Sequence, residues 1–314
     1  FQRHDVWKQR QKSELIESIL MGIPIPLMYL FEDKNGKKQV VDGRQRISAI
    51  LDFLEGKFKL NNLRILKQFN GCCFADLDLK QQGVIEDFQL LFYIIQPPTP
   101  ERVKYDIFDR VNRGGTPLNK QEMRNALYRG RCTRMLDKLC CSPEFLIATG
   151  RSINKERMKD QYVVLRAMAF LMLHRGEFKD IPALQYRGDI DDFLARFMVY
   201  VNDNAPEKLI VDYENLFIRC MQISYDLLGE NGFRFSGNGI RRPINMPLFE
   251  ALSYLFSFVP EKIDYTWASR LILDIESVKE EFDDSRYFSG NIDSTTSVSF
   301  RFDRMDKIIN RIQL

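Results

Sequence analysis

"VVDGRQRISAI" (residues 40–50) changes pattern within one short stretch. Two valines close an apolar run of strand character, Asp42-Gly43 interrupts it, and from Ile47 the apolar residues recur at helical spacing. A helix that starts over a single glycine offers backbone N–H groups with no intrahelical acceptor and a partial positive charge, which together suit an anion. Gly43 lets the backbone turn and approach a ligand with no Cβ between them. Arg44 and Arg46 can add charge-assisted, bidentate bonds to phosphate oxygens. Asp42 can hold magnesium through water or orient one of the arginines, and Gln45 can position a water or read a base. A plainer account competes on even terms: Asp42 caps the helix, Gly43 makes the turn, and both arginines are solvated.

Outward from this corner, "KSELIESILMG" (12–22) places Leu15, Ile16, Ile19 and Leu20 on one helical face. A strand is expected from Leu27, and Asn35-Gly36 is a two-residue hairpin signal before the returning strand "QVVDG". "ISAILDFLEGKF" reads as an amphipathic helix stopped by Gly56. "FQLLFYIIQ" (88–96) reads as a buried strand ended by Pro97-Pro98, and "PERVKYDIFDRVNRGG" carries the apolar stripe Val103, Ile107, Phe108 and Val111. "LNKQEMRNALYRG" opens with Asn119 three residues before Glu122, a capping-box spacing, and closes on Gly130. Beyond residue 131 the periodicity is almost wholly helical. The expectation is an α+β domain over residues 1–130 followed by an all-helical domain over 131–314.

Composition bounds the function. The 314 residues carry 45% hydrophobic and 28% charged side chains with net charge +3, ordinary globular values that permit an anionic partner without requiring one. The densest apolar stretches, "VVLRAMAFLML" and "LFEALSYLFSFV", are too short to span a bilayer and contain Arg166 and Glu250, so core helices are expected. "FQR" lacks a signal-peptide layout, the natural protein is expected to extend upstream of Phe1, and the compartment is expected to be cytoplasmic. Six cysteines form no Cys-x-x-Cys pair, which points to buried free thiols. With only two histidines, His4 and His174, neither flanked by Cys or by another His, no structural zinc site is expected.

A second polar constellation is "FDRVNRGGTPLNKQEMRNALYRG" (108–130), where Arg110 and Asn112 precede the Gly114-Gly115 turn, a second loop able to contact a phosphate or base. Read locally, Gly114-Gly115 simply end a helix, Glu122 completes a cap and Arg124 snorkels. Arg3 with Trp7 can clamp a nucleotide by stacking, although two such residues more often pack on the core. Residues 101–160 hold fourteen Lys/Arg against eight Asp/Glu, the mark of a basic face or of a merely solvated one.

Together, "FQRHDVWKQRQKSELIESILMGIPIPLMYL", "VVDGRQR" and the 108–130 stretch resemble the N-terminal domain family of GmrSD-type restriction enzymes. "RMKDQYVVLRAMAF" is similar to the family's helical continuation. The resemblance implies a ParB/sulfiredoxin-like α+β fold, nucleotide binding with NTP hydrolysis, and a place in bacterial anti-phage, DNA-directed restriction systems. The family's Asp-Gly-Gln-Gln-Arg motif stands here as Asp42-Gly43-Arg44-Gln45-Arg46. It implies catalytic roles for Asp42, Gln45 and Arg46, and nucleotide contacts from Arg3, Arg110, Asn112, Gly114 and Gly115 as well as the corner. Arg44 departs from the family's Gln, in a direction that strengthens phosphate attraction or disturbs hydrolysis. The second motif carries over onto Phe108, Leu118, Asn119, Gln121, Glu122, Arg124 and Asn125, mainly as builders of turn and helix.

Two functions are therefore expected to compete. In the first, an NTP, with Mg2+ as its counter-ion, lies on the Gly43 turn of a sensor or regulator. Arg46, Arg44 and Arg110 then neutralise charge during phosphoryl transfer. No P-loop is present, so any hydrolysis uses another cradle. In the second, the corner grips a DNA phosphate without chemistry and the helical half docks a separate nuclease subunit. A histidine–metal nuclease within these residues is excluded by the histidine count, and two-metal phosphodiester cleavage lacks clustered carboxylates. No membrane partner is expected.

Overall fold

The computed structural model describes residues 7–32, 36–96, 107, 119–236, 241–260, 264–288 and 290–312. The chain divides into two compact units, residues 1–118 and 119–314.

In the first unit, α1 (Gln9–Leu20) leads to β1 (Met28–Glu32) and β2 (Lys38–Asp42), then α2 (Arg44–Leu54), α3 (Leu79–Glu86) and β3 (Phe92–Ile95). β1 is central, antiparallel to β2 and parallel to β3. The β1–β2 register slips between Tyr29, opposite Asp42, and Leu30, opposite Val40, so Val41 is the extra residue of a bulge. A bulge bends its strand and re-aims the residues beyond it; here it sets the direction in which β2 delivers Asp42 to the corner. The core is built from Leu15, Ile16 and Ile19 of α1 and Ala49, Ile50 and Phe53 of α2, with Leu60, Leu63, Leu77 and Ile85.

Expectation and structure part at several places. α2 begins at Arg44 rather than Ile47, so the three polar corner residues are its first turn. The run 88–96 does not form a buried strand: only Phe92–Ile95 pair, and Phe92, Tyr93 and Ile94 are exposed. An unbroken apolar run cannot by itself distinguish a central from an edge strand, and β3 lies at the sheet edge. Residues 60–88, unreadable by periodicity, hold two short 3-10 turns and α3. Their loop is tied to α1 by Glu17, whose carboxylate accepts from the backbone N–H groups of Arg64 (3.3 Å), Ile65 (2.8 Å) and Leu66 (2.8 Å). Burial opposes the charge on Glu17, but these donors and Arg64 outweigh it and hold the carboxyl below its ordinary value.

In the second unit the described regular elements are all helical: α4 (Lys120–Leu127), α5 (Arg131–Cys140), α6 (Pro143–Ala148), α7 (Lys159–His174), α8 (Ile190–Asp203), α9 (Glu207–Leu228), α10 (Met246–Phe256), α11 (Tyr265–Asp283) and α12 (Thr295–Ile312), with short 3-10 turns. α10 packs on both α7 and α12. The two stretches expected as core helices are α7 and α10, almost wholly buried. Their interrupting charges meet: Arg166 Nε donates to Glu250, and Arg301 of α12 donates to the other Glu250 oxygen (2.8 Å). Arg166 also reaches the half-buried Asp293 (2.6 Å), completing a set of two cations and two anions of which only Asp293 meets solvent. All six cysteines are free, but only Cys132, Cys140 and Cys220 are buried; Cys72 and Cys73 are half-buried and Cys141 is exposed. No helix among the described residues is long and apolar enough to cross a membrane.

Candidate functional site

The corner is a built junction. Gly43 has φ 98° and is the residue before the first turn of α2. A Cβ placed on it would lie 2.3 Å from Met28 Cγ and 2.7 Å from its Sδ. The glycine is therefore needed because β1 packs against the turn, and the close approach foreseen for a ligand on the Cβ side is made by Met28. Asp42 does not cap the helix: no side chain caps α2, and its first backbone bond runs from Ile47 N–H to Gly43 O (2.9 Å). Among the described residues no backbone acceptor claims the amides of Arg44, Gln45 and Arg46, which stand at the positive end of the helix dipole.

Asp42 instead accepts from Arg46 Nη2 at 2.5 Å, while Arg46 Nη1 donates to the Pro26 carbonyl just before β1. The guanidinium thus ties α2 to both strands it follows. Of the two sequence-level roles for Asp42, the structure displays the orienting of an arginine. Pro26 is the partner that sequence reading missed, since nothing in residue type or spacing marks a backbone acceptor. Arg44 is exposed and has no ion pair among the described residues. Gln45 is half-buried and its side-chain oxygen is sealed from water with no hydrogen-bond partner among the described residues. An unsatisfied buried acceptor costs on the order of 1–3 kcal/mol, so it calls for a donor that the described residues do not supply.

Arg3, Arg110, Asn112, Gly114 and Gly115 lie outside the described residues, as do Phe108 and Leu118. Trp7 packs against the core of the first unit. An open depression of about 590 Å³, lined by Gln9, Lys59, Asn61, Lys67 and Asn70 among others, includes none of the corner residues. Its lining includes the first residue of α1, Gln9, but no orphaned buried polar atom among the described residues, so the corner, and not the depression, is the candidate site. Among the described residues no group of three His, Cys, Asp or Glu side chains could hold a metal ion.

The tail of the second motif has a different part. Asn119 caps α4 by accepting from Gln121 and Glu122 N–H, and Glu122 accepts from Asn119 N–H (2.7 Å), the expected capping box. Arg124 does not snorkel: it is fully buried, pairs with Asp191 of α8 (2.8 Å), donates to Gln121 (3.0 Å) and lies 5.1 Å from the Tyr162 ring. From Gln121 the bonds run to Asn125 (2.8 Å), on to Gln161 of α7, and from Gln161 to Asp137 of α5 (2.7 Å). These residues form the polar interior of the second unit.

Residues 1–129 match the family model described as the GmrSD restriction endonuclease, N-terminal domain. The match covers the three motifs that resembled this domain family and supports it for that segment. Comparison with curated proteins returned no match.

Proposed function

We propose that the N-terminal segment is the nucleotide-binding part of a bacterial, DNA-directed restriction system, acting in the cytoplasm as sensor or regulator for a separate nuclease subunit. The family match supports the restriction role, and the arrangement of sheet and α2 is compatible with the ParB/sulfiredoxin-like fold that we assign to it. The observation that carries the nucleotide reading is the α2 start: among the described residues, three unclaimed amides and an exposed Arg44 beside the buried, unpartnered Gln45 oxygen. The amides and Arg44 suit phosphate oxygens. The Gln45 oxygen suits a hydroxyl, a base amine or an attacking water. Asp42 retains a second oxygen through which it could hold a water on Mg2+, the chemistry an NTP brings with it being phosphoryl transfer to water.

The competing reading, a non-catalytic grip on DNA by the same corner, uses both arginines as phosphate ligands. Arg46 is already held by Asp42 and Pro26, which leaves Arg44 alone for that task.

The test is a panel of NTPs with magnesium, followed by binding and by phosphate release, on the parent, Asp42→Ala, Arg46→Ala and Arg44→Gln. The Arg44 side chain has no hydrogen bond or ion pair to lose among the described residues, so Arg44→Gln is the clean probe. Loss of one charged hydrogen bond should weaken nucleotide binding about tenfold or more. Absence of nucleotide binding at about millimolar concentration, or full binding by all three variants, overturns the reading.

A further inference from the structure

A basic face on the second unit has an architecture of its own. Arg234, 4% exposed, donates to the carbonyls of Thr149 (3.2 Å) and Glu230 (3.2 Å), and also to Ser152 Oγ and the Arg242 carbonyl. It staples the loop 149–159 to the segment around residues 230–236. A Cβ on Gly150, whose φ is 58°, would lie 2.2 Å from Arg241 Nη2, so the loop backbone rests directly on the Arg241–Glu230 ion pair (2.7 Å).

From this platform Arg151, Lys155 and Lys159 are exposed, and none of their side chains has a hydrogen bond or a close ion pair among the described residues, although the Lys155 charge is felt by Asp160. The neighbouring cations are committed: Arg157 to Glu122, Arg241 to Glu230 and Arg242 to Asp283. The single acid exposed in the loop, Glu156, is tied to Asn154 (3.0 Å). Of the four described non-glycine residues with positive φ, three lie here: Arg151 (51°), Arg157 (57°) and Met158 (59°). Such backbone is strained and persists where the surroundings impose it.

We propose that this loop is a contact surface for the phosphate backbone of a nucleic-acid duplex, with Arg151, Lys155 and Lys159 each meeting one phosphate. Residues 149–159 contain no aromatic side chain on which an unpaired base could stack. They also expose no large apolar side chain of the kind that anchors a protein interface. Exposed cations without a side-chain hydrogen bond or close ion pair among the described residues, on a fixed backbone with neither of those features, match sequence-independent phosphate binding. The proposal concerns the helical unit and stands or falls separately from nucleotide binding at the corner.

The experiment is titration of a labelled DNA duplex of mixed sequence, about 20 base pairs long, with the full chain between about 50 and 300 mM salt. Three neutralised phosphates contribute about 0.9 each to the log–log slope, so Arg151→Gln/Lys155→Gln/Lys159→Gln should flatten it by about 2.7 and weaken binding at least about tenfold at the low-salt end. Arg44→Gln should keep the parent slope. If the triple variant fails to fold by circular dichroism, Lys155→Glu and Lys159→Glu singly carry the same test, each expected to weaken binding. The proposal is overturned if the parent does not bind the duplex, if the triple variant keeps the parent slope, or if Arg44→Gln takes the loss instead. Competition by polyglutamate as effective as unlabelled duplex at equal charge would also overturn it, in favour of an acidic polypeptide partner.

Discussion

Replacing Gly43 by alanine should unsettle the corner through two independent costs. A φ of 98° is expensive for an L-residue, roughly 1–2 kcal/mol. The new methyl would also meet Met28 Cγ at 2.3 Å, and overpacking of that kind costs about 1–3 kcal/mol. Gly43→Ala should therefore destabilise the first unit by about 2–5 kcal/mol. The chain has two tryptophans, Trp7 and Trp267, one in each unit. A Trp267→Phe background leaves Trp7, packed on the first unit's core, as the fluorescence reporter of urea unfolding for that unit. Met28→Ala in the same background separates the two costs, because it removes the obstacle and leaves the backbone strain. The cycle should show Gly43→Ala and Met28→Ala to be less damaging together than their sum by about 1–3 kcal/mol. Additive losses, or a Gly43→Ala variant within about 0.5 kcal/mol of the parent, would refute the close packing of β1 against the turn.

Buried charge leads to three further outcomes. Glu17→Gln should cost about 2 kcal/mol, since a carboxylate serving three backbone donors is replaced by a group that turns an amine toward some of them; Glu17's stabilisation is present above its unfolded value near 4.5 and is lost as pH falls through its lower folded value, so the gap between parent and variant closes in acid urea titrations. His174 is pushed down to about 3 by burial and then by Arg301, and stacks on Phe302 at 3.6 Å; its folded form refuses a proton that the unfolded chain accepts, so below about pH 6.5 it drains roughly 1.4 kcal/mol per pH unit, and His174→Phe should flatten that part of the acid limb of stability. Glu250→Gln should cost about 3–5 kcal/mol by calorimetry or denaturant, because Arg301 would lose the carboxylate it pairs with and Arg166 would keep only Asp293.

Range decided how much was legible in the sequence. Helical periodicity located α1, α2, α7 and α10 because each buries a stripe or a whole surface, and Asn119 with Glu122 announced its cap because both partners sit within one turn. Asn35-Gly36 rightly paired β1 with β2. The corner was legible as a polar cluster, but not which polar groups satisfy one another. Nothing local says that Asp42 would hold Arg46 and leave the helix uncapped, or that Met28 rather than a ligand fills the space beside Gly43. Longer range was worse. Arg166 and Glu250 stood out as charges inside apolar helices, yet they are 84 residues apart, and only the packed fold brings them together. Arg124 looked like a surface residue because its partner Asp191 lies 67 positions away. β3 misled for a different reason: its composition states that it is a strand, while its place at an edge belongs to the sheet as a whole.

The cut between the two units falls before α4, whereas the family match continues to residue 129 and takes α4 with it. Inheritance and cohesion thus draw different borders on this chain. A gene fusion that borrowed residues 1–129 and joined them to a foreign partner would carry Gln121, Arg124 and Asn125 away from Asp191 and Gln161, stranding a guanidinium and two amides made for an interior. Only recipients able to re-create that polar interior could accept the transplant, so α4 acts as a compatibility key. Lineages that reshuffle this domain should either transfer the following helices with it or rewrite those three positions.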